Sequence, residues 1–266
     1  MNKFLILFLL LITGNCYAID ELNTQLSLSP SLLHFDYTEF STTDQVLDRE
    51  LGWLTGVEAK LKHTLTPDWL INIYSSYYQG TVDYDGQTQT GIHHSTDTKT
   101  ELIRLGASVE RSIIENTHLF IGAQTHQWQR NIQDNNNISG LDETYKWLEY
   151  SIGLNSDIPV TAKDHINLAA SYLFIRNATI FVDLSKVDLG TTTLDIGDGT
   201  GARLNARWTH QHINNTYYGF GVFFEAWRFG RSNTKQTQNS TSFVFVTEPR
   251  SETKNIGIKF NFGTLF

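Results

Sequence analysis

Apolar and polar residues alternate in short segments along most of this chain. In the clearest segment Leu51, Trp53 and Val57 share one parity, while Gly52 and Gly56 share the other. A period of two predicts β-strands with one apolar and one polar face. Similar segments recur at residues 103–110, 148–154, 202–208 and 218–225, and weaker ones at 26–38, 70–84, 118–130 and 166–176.

The last segment of the chain alternates as well, and it ends on its apolar parity at Phe266. With this segment the predicted strand count is ten. Residues 191–196 and 243–246 also have strand character, so twelve strands remain possible, and eight is the other alternative. In the first segment the apolar parity changes at Leu32 and Leu33, shortly after Pro30, which favours a β-bulge there.

The apolar face of the final strand indicates where the protein resides. In a water-soluble sheet such an edge would promote aggregation, whereas in a closed barrel it would face lipid. The strand resembles the C-terminal targeting strand of bacterial outer-membrane β-barrels, which ends in Phe or Trp. The resemblance implies an all-β, closed antiparallel transmembrane barrel. It also implies contact with the barrel assembly machinery through this strand, and with outer-membrane lipid and lipopolysaccharide.

The connections between the predicted strands alternate in length. Tight turns are predicted at residues 66–68, 115–117 and 213–216, with a longer one at 157–164. Long polar loops are predicted at residues 41–50, 85–98, 132–144, 178–201 and 233–252. Outer-membrane barrels have short periplasmic turns and longer extracellular loops. We therefore expect both termini on the periplasmic side.

The N-terminal residues have the pattern of a secretory signal peptide. Lys3 precedes an apolar run from Phe4 to Ile12, and Ala18 is a suitable residue before a cleavage site. We predict a signal peptide at 1–18 and a single barrel domain at 19–266. The alternative is a lipoprotein signal with Cys16 as the lipidated residue. Cys16 is the only cysteine, so cleavage after Ala18 would leave no thiol.

The net charge and the mean hydropathy add little to this interpretation. The net charge is −8 and the isoelectric point about 5.5, which gives no indication of nucleic-acid binding. Mean hydropathy is −0.28 and is uninformative for a barrel, because alternation hides its apolar surface.

The polar parity of the predicted strands carries charges of both signs. The predicted lumen network consists of Glu58, Lys60, Lys62, Arg104, Glu110, Arg130, Glu149, Arg203, Arg207, Glu225 and Lys259. A barrel of this size has an interior about wide enough for side chains to fill, so these charges must pair. The first interpretation is a plug of ion pairs. The alternative is a narrow solute pathway, which the basic excess of this network would make selective for anions.

One tripeptide suggests chemistry at the outer end of the third strand. Asp83-Tyr84-Asp85 resembles the Asp-x-Asp of the omptins, ten-stranded outer-membrane proteases that pair it with an Asp-x-His across the barrel mouth. The resemblance implies a hydrolytic role for Asp83 and Asp85. The second couple has no match, because the fourth long loop has Asp183 and Asp188 without a neighbouring histidine. The couple Asp164-His165 and the pair His210-x-His212 fall at the periplasmic end.

Two other interpretations of this segment remain open. Asp83 and Asp85, with the following His93, His94 and Asp97, have the residue types of a divalent metal site. The same Asp and Gly residues are also common at the start of a turn. We expect no metal and no cofactor.

Three functional hypotheses follow. The first is a non-enzymatic surface or structural barrel whose loops serve adhesion, ligand contact or envelope integrity. The second is a narrow porin-like channel, and the third is an omptin-like hydrolase.

Overall fold

Ten long antiparallel strands form a closed barrel in the computed structural model, which describes residues 24–88, 91–135, 138–238 and 243–266. The predicted signal peptide lies outside the described residues. The barrel strands are β1 (Thr24–Phe40), β2 (Val46–Thr66), β3 (Trp69–Gln87), β4 (His93–Ile114), β5 (Thr117–Ile132), β6 (Asp142–Pro159), β7 (Asp164–Asp183), β8 (Thr191–Gln211), β9 (Thr216–Phe229) and β12 (Arg250–Leu265). A short hairpin of β10 (Lys235–Gln238) and β11 (Phe243–Val246) lies outside the barrel sheet.

Each barrel strand pairs with its neighbours in sequence, and β1 pairs with β12 to close the sheet. The backbone amide of Thr24 donates to the carbonyl of Phe266 at 3.0 Å, and the amide of Phe266 donates back at 2.8 Å. Ten strands are therefore confirmed. The twelve-strand alternative is wrong, because residues 191–196 form the outer end of β8 and residues 243–246 form β11. The eight-strand alternative is wrong as well.

The four short connections and the first described residue lie at one end of the barrel. The turns at residues 115–116 and 212–215 contain Asn116, Asn214 and Asn215 in the left-handed region, with φ of 59°, 55° and 60°. Asparagine tolerates this conformation better than most residues, which explains its place in these turns. The predicted tight turns are confirmed.

The opposite end differs from the prediction, because much of the predicted loop sequence is strand. β3 and β4 continue to Gln87 and from His93, where the sequence predicted a loop over 85–98. β7 and β8 likewise extend through most of 178–201. The sequence predicts loops there because these segments are polar, but in the structure they continue the strands, with apolar side chains inside and polar ones outside.

This reversal of polarity runs through the barrel. Near the short turns the outward side chains are apolar and the inward ones polar, as with Leu28 outside and Ser29 inside on β1. Farther out on the same strand, Leu33 and Phe35 point inward and are 1% and 0% exposed, while Asp36 faces outward. The register of β1 is continuous through Leu32 and Leu33, so the predicted bulge is wrong.

The barrel thus has two zones along its axis. The zone near the short turns has an apolar outer surface suited to lipid, with Trp69 and Trp208 close to its lower edge. The distal zone has a polar outer surface and an apolar core, as a water-soluble barrel would. Within the described residues, no helix is long and apolar enough to span a membrane.

Candidate functional site

All members of the predicted lumen network lie on the inward faces of their strands. They divide into an outer group around Arg130, a middle group around Arg104, and an inner group near the short turns. The division follows the strand positions, since Arg130 lies far from the short turn on β5 and Lys62 lies close to one on β2.

The middle group is a closed network of ion pairs. Arg104 on β4 contacts Glu225 on β9 at 2.7 Å. Arg203 on β8 contacts Glu225 at 2.5 Å and Glu149 on β6 at 3.0 Å. His126 on β5 lies 3.1 Å from Glu149. Both glutamates are almost fully buried, and side chains from opposite walls meet, so this network crosses the lumen.

The outer group has one cation and several carboxylates. The Arg130 guanidinium lies 3.2 Å from Glu39, 3.3 Å from Asp48, 3.0 Å from Glu50 and 2.7 Å from Glu143. Its side chain is 1% exposed, and those of the carboxylates are 0–9% exposed. A buried arginine must be paired in this way, because an isolated buried charge costs several kcal/mol.

A fifth carboxylate joins this group from the connection before β12. Glu248 accepts hydrogen bonds from the hydroxyls of Tyr145 at 2.5 Å and Tyr37 at 3.3 Å. Burial and the neighbouring Glu39 and Glu143 carboxylates raise the pKa of Glu248 well above its ordinary value. Glu248 therefore takes up a proton in the folded barrel more readily than in the unfolded chain.

These five carboxylates were missed by the sequence analysis. Asp48, Glu50, Glu143 and Glu248 lie in predicted loops, and Glu39 lies just beyond the first predicted strand at 26–38. The available signal was the uninterrupted parity of β2, since Asp48 and Glu50 share the inward parity of Glu58. With them, carboxylates outnumber cations in the described lumen, so the predicted basic excess is wrong for the lumen as a whole.

An aromatic layer separates the outer and middle groups, and we call it the aromatic belt. Its members are Phe35, Trp128, Tyr145, Trp147, Trp227 and Phe229, each at most 4% exposed. Ring centroids of Trp128 and Tyr145 are 4.5 Å apart, and those of Trp147 and Phe229 are 5.3 Å apart. Leu54 and Leu102 are buried in the same core. Densely packed, buried side chains thus fill the lumen at this level.

On the inner side of the middle group the lumen is open. A cavity of about 280 Å³ begins at the short-turn end, and a second of about 180 Å³ continues from it to Arg104 and Arg203. The two share Lys60 and Arg207 among their lining residues. We call this blind space the cup. In the described part of the lumen the cup ends at the middle ion pairs, and the aromatic belt lies beyond them.

The candidate hydrolytic residues lie elsewhere. Asp83 and Asp85 are on the outer face of β3 and are exposed, with Tyr84 between them pointing into the barrel. His93 approaches Asp85 at 3.4 Å, and both side chains are more than 70% exposed. Asp83 and Asp85 therefore face away from the barrel interior. Among the described residues no group of three or more His, Cys, Asp or Glu is arranged to hold a metal ion.

The histidines at the opposite end do not complete that site. Asp164 pairs with His210 at 2.8 Å, and Asp157 lies 3.7 Å from His165, all near the short turns. They are separated from Asp83 by the length of the barrel. Asp183 and Asp188 flank a short 3₁₀ turn at the outer end of β7.

The barrel fold is shared with known outer-membrane proteins. The outer membrane protease OmpT from Escherichia coli matches with a TM-score of 0.63 and 10% sequence identity, over 92% of this chain and 96% of that chain. The translocator domain of the autotransporter NalP from Neisseria meningitidis matches with a TM-score of 0.45 and 7% identity, over 91% and 88%. The toluene transporter TodX from P. putida matches with a TM-score of 0.38 and 11% identity, over 94% and 91%.

No protein-family model matches the chain, and no curated protein matches its sequence. The likeness to OmpT is a likeness of fold alone, since the identity is 10%. The fold is that of an outer-membrane β-barrel.

Proposed function

We propose that this protein is a non-enzymatic outer-membrane barrel that is closed to solutes and presents its outer end at the bacterial surface. The observation that carries the proposal is the aromatic belt, where Trp128 and Tyr145 are 0% exposed. A channel needs a continuous wet path, and this level of the lumen contains packed rings. Adhesion, ligand contact or envelope integrity are the roles that fit a closed barrel of this kind.

The distal zone supports a role in presentation. Its apolar core makes the strands rigid beyond the lipid-facing zone, so the outer connections and the β10–β11 hairpin are held away from the membrane. Phe243 and Phe245 of that hairpin are 59% and 61% exposed. Exposed aromatic side chains on this hairpin are suited to contact with a ligand.

The orientation and processing belong to the same proposal. In this orientation the short turns face the periplasm and the distal zone faces outward, as is typical of outer-membrane barrels. Residues 1–18 act as a cleaved leader, both mature termini face the periplasm, and the terminal strand with Phe266 serves recognition by the barrel assembly machinery. The lipid-facing zone contacts outer-membrane lipid and lipopolysaccharide.

The two other hypotheses have less support. A channel would need the belt and the ion pairs of Arg104 and Arg203 to move together. A hydrolase like the omptins would need Asp83 and Asp85 beside a histidine and facing a substrate cleft. The observed positions of these two aspartates on the outer face argue against that role.

Cysteine labelling of intact cells tests the proposed presentation. Cys16 is the only cysteine and belongs to the predicted leader, so single cysteines can be introduced into the mature barrel without interference. We expect a membrane-impermeant maleimide to label Phe245→Cys on intact cells. The matched variant Ile213→Cys, in a short turn and 62% exposed, is expected to react only after the outer membrane is opened. The reverse pattern would contradict the orientation.

A further inference from the structure

The cup contains three cations whose side chains have no anion in direct contact. Lys60, Lys62 and Arg207 line it, and none of their side chains makes a hydrogen bond or an ion pair within 4 Å in the described part of the chain; Lys60 and Lys62 interact with Glu110 only at longer range. The Nε atom of Arg207 is buried and has no hydrogen-bond acceptor. An excess of cations in a partly enclosed space is unfavourable, because the cations lose hydration and repel one another.

The carboxylates of the same space have partners of their own. Glu58 pairs with Lys259 at 3.4 Å. Glu110 accepts hydrogen bonds from Asn72 at 2.6 Å and Asn155 at 2.9 Å. At the rim, Asp157 lies near His165. Four cations, Lys60, Lys62, Arg207 and Lys259, thus face the two glutamates Glu58 and Glu110, so the interior of the cup has an excess of positive charge.

Lys60, Lys62 and Arg207 approach from two walls. Lys60 and Lys62 are two residues apart on β2 and so share its inward face. Arg207 extends from β8, which is separated from β2 by β9, β12 and β1 in the closed sheet. A ligand between these walls would receive charge-assisted hydrogen bonds from both sides, and the planar guanidinium is well suited to oxyanions.

We propose that the cup is a binding site for a small oxyanion, a molecule bearing phosphate or carboxylate groups, that enters from the short-turn end. The volume of about 280 Å³ is near the lower limit of typical ligand pockets, which favours a small molecule. The middle ion pairs close the cup, so the anion binds there and does not cross the barrel. This site is separate from the outer end, and its function is independent of the proposed surface role.

Calorimetric titration of the folded barrel with inorganic pyrophosphate in a zwitterionic detergent tests the site. We expect saturable binding that weakens on the order of tenfold in Lys60→Gln/Lys62→Gln and in Arg207→Gln, since each removes charged hydrogen-bond donors. The matched controls are Lys254→Gln and Arg228→Gln, which remove the same charges from the outer faces of β12 and β9. These controls are expected to bind like the parent barrel.

A thermal assay guards against loss of folding. Pyrophosphate should raise the temperature of the heat-dependent gel shift in the parent and control barrels, because a ligand of the folded state stabilises it. The shift should vanish in the cup variants, and the melting temperature of each variant without pyrophosphate serves as its own baseline. Absence of saturable binding, or binding unchanged in the cup variants, would overturn the proposal.

The source of the oxyanion is distinguished by a competition arm. Phosphatidylglycerol added to the detergent micelles competes with pyrophosphate if a lipid headgroup can enter the cup. Pyrophosphate binding that is insensitive to phosphatidylglycerol assigns the cup to a free, water-soluble anion. The competition identifies the kind of anion that binds, whereas the cup variants test whether the binding site exists.

Discussion

Arg130 offers the sharpest test of how the outer half of the barrel is held together. Among the described residues it is the only cation with the five buried carboxylates of the outer group, and it contacts four of them within 3.3 Å. It also lies against the rings of Tyr37 and Trp128, at 4.8 and 5.4 Å from their centroids. Replacing it with glutamine leaves these carboxylates buried without a counter-charge.

The loss of stability can be estimated from the cost of neutralising the excess negative charge. At least one further carboxylate must take up a proton. At pH 7, protonating a glutamate with an ordinary pKa of about 4.3 costs roughly 4 kcal/mol, at about 1.4 kcal/mol per pH unit. This agrees with the roughly 3–5 kcal/mol measured when one partner of a buried pair is removed. At pH 5 the same proton costs only about 1 kcal/mol.

We therefore expect Arg130→Gln to lower the free energy of unfolding by about 4 kcal/mol at pH 7 and by much less at pH 5. The measurement is guanidinium unfolding of the barrel in lipid vesicles, followed by tryptophan fluorescence. Adding Glu143→Gln, which removes the nearest carboxylate at 2.7 Å, should restore a large part of the loss.

The matched control is Arg49→Gln. Arg49 contacts Asp36 at 2.8 Å, but its side chain is 50% exposed on the outer surface. An exposed pair contributes about 0–1 kcal/mol, and its loss should depend little on pH between 5 and 7. If Arg130→Gln destabilised the barrel no more than Arg49→Gln, or equally at both pH values, the reasoning about the outer group would be refuted.

Three further substitutions probe separate parts of the account. Because the pKa of Glu248 is raised in the folded barrel, the folded state binds a proton that the unfolded state has released, and the free energy of unfolding falls as pH rises above about 4.3. Glu248→Gln should reduce this fall between pH 5 and 8, and an unchanged slope would contradict the assignment. Trp128→Ala removes a fully buried ring of the belt and should destabilise the barrel by about 3–5 kcal/mol in the same unfolding assay; a change below about 1 kcal/mol would contradict dense packing there. Asp83→Asn with Asp85→Asn changes exposed groups and should shift stability by no more than about 0.5 kcal/mol, and a larger loss would give these aspartates a role that their positions do not explain.

The lipid-facing zone could be predicted from the sequence because one rule holds throughout it. Outward residues contact lipid and inward residues contact polar neighbours, so the alternation indicates both where a strand lies and which of its residues face the lumen. The residues of the middle group, Arg104, Glu149, Arg203 and Glu225, were placed in the lumen on this basis, and their strands have the predicted phase.

The distal zone could not be predicted in the same way because its surroundings differ. Above the lipid, the outer surface meets water and the inside needs an apolar core, so the meaning of the alternation reverses within one strand. The change of apolar parity at Leu33 and Phe35 is then mistaken for a bulge, and the polar residues Asp48 and Glu50 for part of a loop. Which carboxylates gather around Arg130 depends on barrel closure and strand register, and these are not visible in local sequence.

The central claim is that the lumen is closed, and conductance measures this most directly. The folded barrel would be inserted into a planar lipid bilayer and recorded at physiological salt, after a heat-dependent gel shift has confirmed folding. The account predicts a silent barrel, because the aromatic belt and the ion pairs of Arg104 and Arg203 fill the lumen. Stable, ion-selective openings that change with Arg203→Ala would contradict the closed barrel and favour the channel.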